Sequence, residues 1–353
     1  MTPIKIRKTR SMTCLPRHTI ARCTGSALLA ALLTVALVAA FASRAFWQEW
    51  RSVEVETAER GRLQAGWLLD GAHDWARARL RDDAQHRGAV DDAGEAWAQP
   101  VVNMPLDDFL AGSGATDDRA SAAAGVADET AASAPATPFV SQQLSDAQGK
   151  MNVLNLLENQ ALSPLWLQAF DKLFEVLKLP PEQLVTLSNT LRQASQTQGV
   201  GAVTPLLPQQ MSQLVWLGLV PATLEALQPH VTLLPSRTPV NLNSASVEVL
   251  QSLLPSFQRA DAERVVALRR VTPFQTVADA GITDLQSDGQ YSVSSRFFEL
   301  HTAIRIGPAS VAENALLQRD GSSVRTLWRR RVVAIEQPSR TTPLNTLALQ
   351  QSP

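Results

Sequence analysis

The sequence predicts an α+β fold: a long N-terminal helix, apolar in its first part, and a small antiparallel sheet interrupted by a large helical insert. Three observations predict it. Residues 26–43 carry no charge and are built of Leu, Ala and Val, and helical periodicity continues past them to Leu80. Extended character occurs twice, from Phe139 to Leu144 and again after Tyr291. Between those stretches lie apolar residues at helical spacing, punctuated by prolines.

The N-terminal 25 residues carry Lys5, Arg7, Lys8, Arg10, Arg17 and Arg22 and no acid. Setting these six aside from the 32 basic residues leaves 26 against 33 acids, a net charge of −7 for the rest of the chain. A polyanion is therefore a poor partner for its general surface. Residues 26–46 read as a transmembrane helix. At about 1.5 Å per residue they nearly span a hydrocarbon core of about 30 Å. Trp47 and Trp50 fall where an interfacial aromatic belt sits, and Glu49, Glu54, Glu56 and Glu59 follow. Cations before the span and acids after it predict a cytoplasmic N-terminus and an exported remainder. Residues 47–82 continue the helix, with Leu68, Ala72, Trp75, Ala76 and Leu80 on one face.

Two other readings compete. A cleavable signal peptide would be cut near Ala40 to Ala45. Lipoprotein processing would use Cys23, but there the apolar run follows the cysteine instead of preceding it. Helical continuity to Leu80 and the small-residue junction Gly25-Ser26, between basic leader and apolar run, favour a retained helix. Cys14 and Cys23 are the only cysteines, so an exported part cannot be braced by disulfides and must rest on packing.

Residues 95–156 read as strands around a flexible insert at 111–137, which is rich in Ala, Ser, Gly, Asp and Thr. Residues 157–283 read as helical: Leu165, Trp166, Ala169, Phe170, Leu173, Phe174 and Leu177 share one face. Residues 284–336 return to strands, and 337–353 form a polar tail. Within the helical part, residues 239–278 have a helix-hairpin-helix (SAM-like) pattern. Ser244 is the expected cap, with Glu248 in the first turn. Val247, Leu250, Leu253 and Leu254 face the core. A turn at Pro255-Ser256-Phe257-Gln258 leads to a second helix burying Ala262, Val265 and Leu268. Arg259, Arg264, Arg269 and Arg270 suggest DNA, as in a membrane-anchored DNA receptor. The turn, however, lacks the glycines that let backbone amides approach a phosphate closely. A hairpin for protein contacts is expected, and no nucleic-acid partner.

No catalytic, cofactor or metal residues emerge. His18, His73, His86, His230 and His301 are scattered without zinc-ligand spacing, and neither a phosphate loop nor a nucleophile elbow occurs. The acid pairs Asp82-Asp83, Asp91-Asp92, Asp107-Asp108 and Asp117-Asp118 read as solvated surface. A signal-anchored periplasmic enzyme is thereby disfavoured.

The leader ending in Gly25, the apolar run after Ser26, Gly94-Glu-Ala-Trp-Ala-Gln-Pro100, the segment with Asp146, Gln148, Gly149, Asn152 and Asn155, and "NLNSAS…LLP…DAE…R…PF" from Asn241 resemble the K-type minor pseudopilins of type II secretion. The resemblance implies a pilin-like sheet and prepilin peptidase cleavage between Gly25 and Ser26, with methylation of the new N-terminus. It implies a single-pass inner-membrane protein with a periplasmic head. It also implies assembly with I- and J-type minor pseudopilins at the tip of a pseudopilus, where the subunit initiates assembly and limits growth. Pilins usually carry Glu at the fifth mature position; here it is Ala30, as the K type implies for a subunit with nothing above it. Family members hold calcium with an Asp-rich stretch, but residues 191–202 contain no carboxylate, so no cofactor is expected.

Overall fold

The structure is a computed structural model, and it describes residues 24–86, 88, 90–110, 137–196, 206–253, 257–281, 289–307 and 309–332. The leader before residue 24, the 111–136 part of the flexible insert, Asp117-Asp118, residues 197–202 of the carboxylate-free stretch, the turn residues Leu254 to Ser256 and the tail lie outside these residues. The chain divides into two compact units, residues 1–60 and residues 61–353, and helix α1 (Thr24–His86) contributes to both.

In the first unit, α1 presents apolar side chains in every direction. Leu28, Leu29, Leu32, Leu33, Val35, Val38 and Phe41 are all exposed, and so are Phe46, Trp47 and Trp50. Such a helix is not the core of anything in its own chain.

In the second unit, five strands form one antiparallel sheet in sequence order: β1 (Val101–Pro105), β2 (Phe139–Asp146), β3 (Phe297–Ile306), β4 (Ala309–Asp320) and β5 (Ser323–Val332). The helical body is inserted between β2 and β3, which are neighbours: Asp146 pairs with Phe298 and Phe139 with Arg305. The chain thus leaves and re-enters the sheet one strand spacing apart.

The part of α1 in this unit packs on one face of the sheet. Ala65, Leu69, Ala72, Ala76 and Leu80 recur at helical spacing and are all buried. The alanines let the helix lie close to the strands. They meet Val140 and Ile304 near one end, and Leu144, Phe298, Leu300, Ala315 and Leu317 near the other. Short helix α2 (Leu106–Leu110) adds Phe109, whose ring lies 4.6 Å from that of Trp75.

The helical body has a core of its own. Helix α3 (Pro164–Val176) starts with proline at its first turn, where the missing N–H costs nothing, and buries Trp166, Ala169, Phe170, Leu173 and Phe174. Leu165, expected on that face, is exposed. Helix α4 (Pro181–Ser195) adds Leu184, Leu187 and Leu191. Met211–Leu217 forms a 3-10 helix, not an α-helix, closed by Gly218 at φ +97°. A Cβ there would sit 2.5 Å from Thr186 Cγ2, so only glycine fits. Helices α5 (Pro221–Leu227), α6 (Val247–Leu253) and α7 (Arg259–Val271) complete the body. Met151, Val153 and Leu156 belong to this core and not to that of the sheet. By packing, the body therefore begins just after β2, earlier than the residue 157 expected from sequence.

The hairpin α6–α7 departs from expectation in three details. Ser244 is not the cap; Ser246 Oγ accepts from Val249 N–H instead. Val249 is fully buried and Val247 only half so. Leu268 is half exposed, because the inward place one turn beyond Val265 is taken by Arg269, whose guanidinium donates to the Leu242 carbonyl.

Truncating Leu69 to Ala removes a fully buried side chain from the helix–sheet seam and is expected to cost about 2–5 kcal/mol. Chemical denaturation of the purified protein measures it. Val185→Ala, on an exposed site of α4, is expected to stay within about 0.5 kcal/mol of the parent.

Candidate functional site: an exposed apolar helix and a buried carboxylate junction

Two features stand out as sites. One is the exposed apolar surface of α1 in the first unit. Gly25 and Ser26 are among the first residues of α1, and Ala30 lies exposed one turn on. With alanine at position 30, the described helix carries no carboxylate before Glu49.

The other is a polar junction where the end of α1, the segment 91–98, the sheet and the helical body meet. Asp92 starts it by accepting from Gly94 N–H at 2.6 Å, which turns the chain into the 3-10 turn Ala96–Ala98. That turn drives Trp97 into the core, edge-on to Phe298 with ring centroids 5.0 Å apart. The indole N–H donates to Glu95 Oε2 at 2.6 Å, so burying Trp97 buries a carboxyl group with it. Asp91 is also buried. It accepts from Ser295 N–H at 2.7 Å and from the Arg319 guanidinium. Arg319, on β4, further donates to Asp83 Oδ2 at 2.9 Å and lies over the Phe298 ring. Asp83 and Asp91 are thus not the solvated surface their pairing in sequence suggested. Only their neighbours Asp82 and Asp92, and the pair Asp107-Asp108, keep appreciable exposure.

Asp146 closes the junction on the side of the helical body. Its carboxyl oxygens accept from Gln148 N–H, Asn241 Nδ2, Ser295 Oγ and the Ser244 hydroxyl. This is the role of Ser244. The segment after Asp146 must pass close to Ser244: a Cβ on Gly149 would lie 2.7 Å from Ser244 Oγ and 3.0 Å from its backbone. Asparagines then fasten the loops. Asn155 donates to Thr238 O at 2.7 Å and accepts from Thr238 N–H at 3.0 Å. Asn243 holds Phe274 in the same two-bonded way. Each side-chain amide completes a ladder that the backbone does not provide.

Burial dominates the electrostatics. It raises the Asp91 carboxyl to about 6 against the pull of Arg319, raises Glu95 to about 7, and raises Asp146. Asp83, Asp91 and Glu95 are, among the described residues, the set whose carboxyl oxygens come close enough to share a cation. Arg319 already lies against two of them, so the charge such an ion would supply is in place. On α1, His73 is buried with neither ring nitrogen hydrogen-bonded, and burial together with Arg329 lowers it to about 4.

Three of the four hairpin arginines are occupied locally, while Arg270 is exposed. Arg259 pairs with Glu263 at 2.8 Å, Arg264 with Asp261 at 3.4 Å, and Arg269 is turned inward. What sequence reasoning missed were Asp83, Asp91, Glu95, Ser295 and Arg319. The one available signal was Arg319 itself, an arginine that continues the alternation of Ala315 and Leu317 on the α1-facing side of a strand.

Residues 240–294 match the family described as "Type II secretion system (T2SS), protein K". A curated relative, the "Type II secretion system protein K" of Pseudomonas aeruginosa strain PAO1, is 24% identical over 323 residues, covering 84% of this chain and 88% of its own. A chain in the crystal structure of the GspK–GspI–GspJ complex from the enterotoxigenic Escherichia coli type 2 secretion system superposes with a TM-score of 0.59 at 18% identity. It covers 78% of this chain and 98% of its own. The chain is thus similar to the type II secretion protein K family, over residues 240–294 by its family pattern and more distantly over most of its length. The matched stretch contains Asn241, Ser244, α6, α7 and Phe274, so the family pattern falls on the body's side of the junction.

The junction makes stability depend on pH. Asp91, Glu95 and Asp146 hold protons more tightly folded than unfolded. The stability they contribute is complete below their ordinary values of 3.8 to 4.5 and is lost as pH rises through about 6 and about 7. His73 acts oppositely, removing stability as pH falls from 6.5 towards about 4. The unfolding midpoint of the protein is therefore expected to fall between about pH 6.5 and pH 8. Glu95→Gln, which keeps an acceptor for the indole, is expected to flatten that decline, measured by thermal unfolding across the range.

Proposed function

We propose that this protein is the minor pseudopilin at the tip of a type II secretion pseudopilus, where it initiates assembly and limits filament growth. The observation that carries the reading is the uncharged, wholly exposed apolar part of α1 in a chain similar to the protein K family. Exposed apolar side chains on all sides need either hydrocarbon or sister helices around them. In this reading α1 lies in the inner membrane with the leader in the cytoplasm and the head in the periplasm. Prepilin peptidase cuts between Gly25 and Ser26, and the new N-terminus is methylated. The solved complex that this chain resembles joins GspK to GspI and GspJ, which supports I- and J-type pseudopilins as partners.

Ala30 supports the tip position. A carboxylate there would neutralise the terminal ammonium of a subunit above; without it, such an ammonium would be buried unpaired. The bulk of the helical body adds a steric barrier to the same end. No metal is required by this function: the carboxylate-free residues 191–202 offer a calcium ion little charge. The hairpin serves protein contacts, as the local bonding of three of its four arginines supports.

Intact-mass analysis of the protein purified from membranes is expected to give a chain beginning at Ser26 with one added methyl group. A product beginning downstream of residue 40, free in the periplasm, would remove the basis of the proposal. Ala30→Glu is expected to lengthen surface pseudopili, scored by electron microscopy when the pseudopilins are overproduced. Unchanged length would leave the steric barrier as the whole of the growth limit.

A further inference from the structure

The face of the sheet turned away from α1 carries a groove of about 400 Å³. Its floor is two cross-strand rows. Gln143 stands opposite His301, His301 opposite Asn314, and Asn314 opposite Arg330, so one hydrogen-bonding side chain from each of four strands lies in line. The next row runs Ser145, Glu299, Leu316, Trp328 in the same registers. The wall comes from the helical body, with Gln209, Ser212 and Gln228.

Several features decide what this groove can hold. Its volume is within the range of about 300–1,000 Å³ usual for small-ligand sites. The strands of its floor are already paired on both sides at β3 and β4, so an incoming peptide finds no free backbone ladder to join. Recognition has to come from side chains. Charge is limited: Lys150 and Glu299 neutralise each other at 2.8 Å, which leaves the Arg330 guanidinium, donating to the neutral Gln210 Oε1 at 3.0 Å, as one cation at the rim. A cation is not favoured, and a single guanidinium already donating to an amide is little for a phosphate. What remains is a set of amides, each offering a donor and an acceptor about one hydroxyl spacing apart. The amides of Gln143 and Gln228 are exposed and make no hydrogen bond with another described residue. Beside them Trp328 is half-buried, packed against the small core of Leu316, Phe297 and Leu234. A rigid indole flanked by free amides matches a pyranose ring, which has an apolar C–H face and a rim of neighbouring hydroxyls.

We infer that this groove is a binding site for a neutral pyranose oligosaccharide, with Trp328 as the stacking platform and Gln143, Gln228 and Asn314 holding hydroxyls. Asn314 is positioned for this by the 2.6 Å hydrogen bond between its Oδ1 and His301 Nδ1, which leaves its amide N–H group to donate. The ring carries no charge in this reading, so binding is insensitive to salt.

The test uses the full chain in detergent micelles, titrated with chitotriose and with cellotriose, and read by saturation-transfer NMR and tryptophan fluorescence. Saturable binding of at least one trisaccharide at millimolar concentration or below is expected, unchanged by added salt. The pair Gln143→Ala with Gln228→Ala removes exposed side chains only and is expected to weaken binding at least ten-fold at an unchanged unfolding midpoint. Trp328→Leu, which keeps the apolar packing, is expected to abolish the fluorescence change. Absence of saturation with both sugars overturns the inference, and so does binding that the double variant leaves intact. A hydrophilic Gly-Ser-Gln peptide that binds with the same sensitivity to the double variant overturns it in favour of a polypeptide ligand.

Discussion

A charge inside a dry protein has to be met by another, and in this head the rule is applied around one guanidinium. Arg319 bonds Asp83 at the end of α1, Asp91 in the segment that follows, and the Ser295 carbonyl at the return from the helical body. The end of α1, the segment just after it and the return from the body are thereby fixed to one strand, and the buried position is bearable only because all of them arrive. Trp97 and Phe298 exclude water from the cluster, which strengthens every bond in it and raises both Glu95 and, against the pull of Arg319, Asp91. Asp146 extends the same logic to the body through hydroxyls and an amide instead of a charge.

The position of the insertion explains why so large a helical body does not disturb so small a sheet. It departs after Asp146 and returns at Phe297, on strands that are already neighbours about 5 Å apart. The sheet sees a closed loop whatever its length, since closure entropy grows only with the logarithm of loop size. The body in turn needs its own core, and Trp166, Phe170, Leu173 and Phe174 supply it. What must be specified is the angle at the two exits. There Gly149 allows the close approach to Ser244, and Asn152, Asn155 and Asn243 replace missing backbone bonds.

Local patterns were legible in the sequence and long-range polar partnerships were not. The apolar run of α1, the face of Ala72, Ala76 and Leu80, the alternation in β3 and the period of α3 are properties of a few consecutive turns, and periodicity reads them directly. Leu268 was misjudged because helical period alone cannot say which of two adjacent positions meets the core; the Leu242 carbonyl, waiting for a donor, gave the place to Arg269. Asp83 and Asp91 were misjudged for a stronger reason. Two adjacent acids look solvated until a partner more than two hundred residues away is known to reach them. Ser244 looked like a helix cap because serine before a helix usually is one. Asp146 outcompeted that role, and Ser246 supplied the cap instead.

The change of pattern along α1 carries its own physical information. From Leu28 to Phe41 apolar residues occupy every direction, so no single neighbour can cover them and the surroundings must be apolar all round. Past Arg44 and Glu49 the helix becomes mixed, and beyond Gly61 burial narrows to one stripe of small residues, Ala65, Leu69, Ala72 and Ala76, with acids and arginines elsewhere. A stripe faces one partner, and that partner is the sheet. The same continuous helix thus meets two kinds of environment, and the composition switches where the requirement does. Burial against the sheet is satisfied within the chain. The apolar surface before Arg44 is not, and its satisfaction must come from lipid or from other subunits.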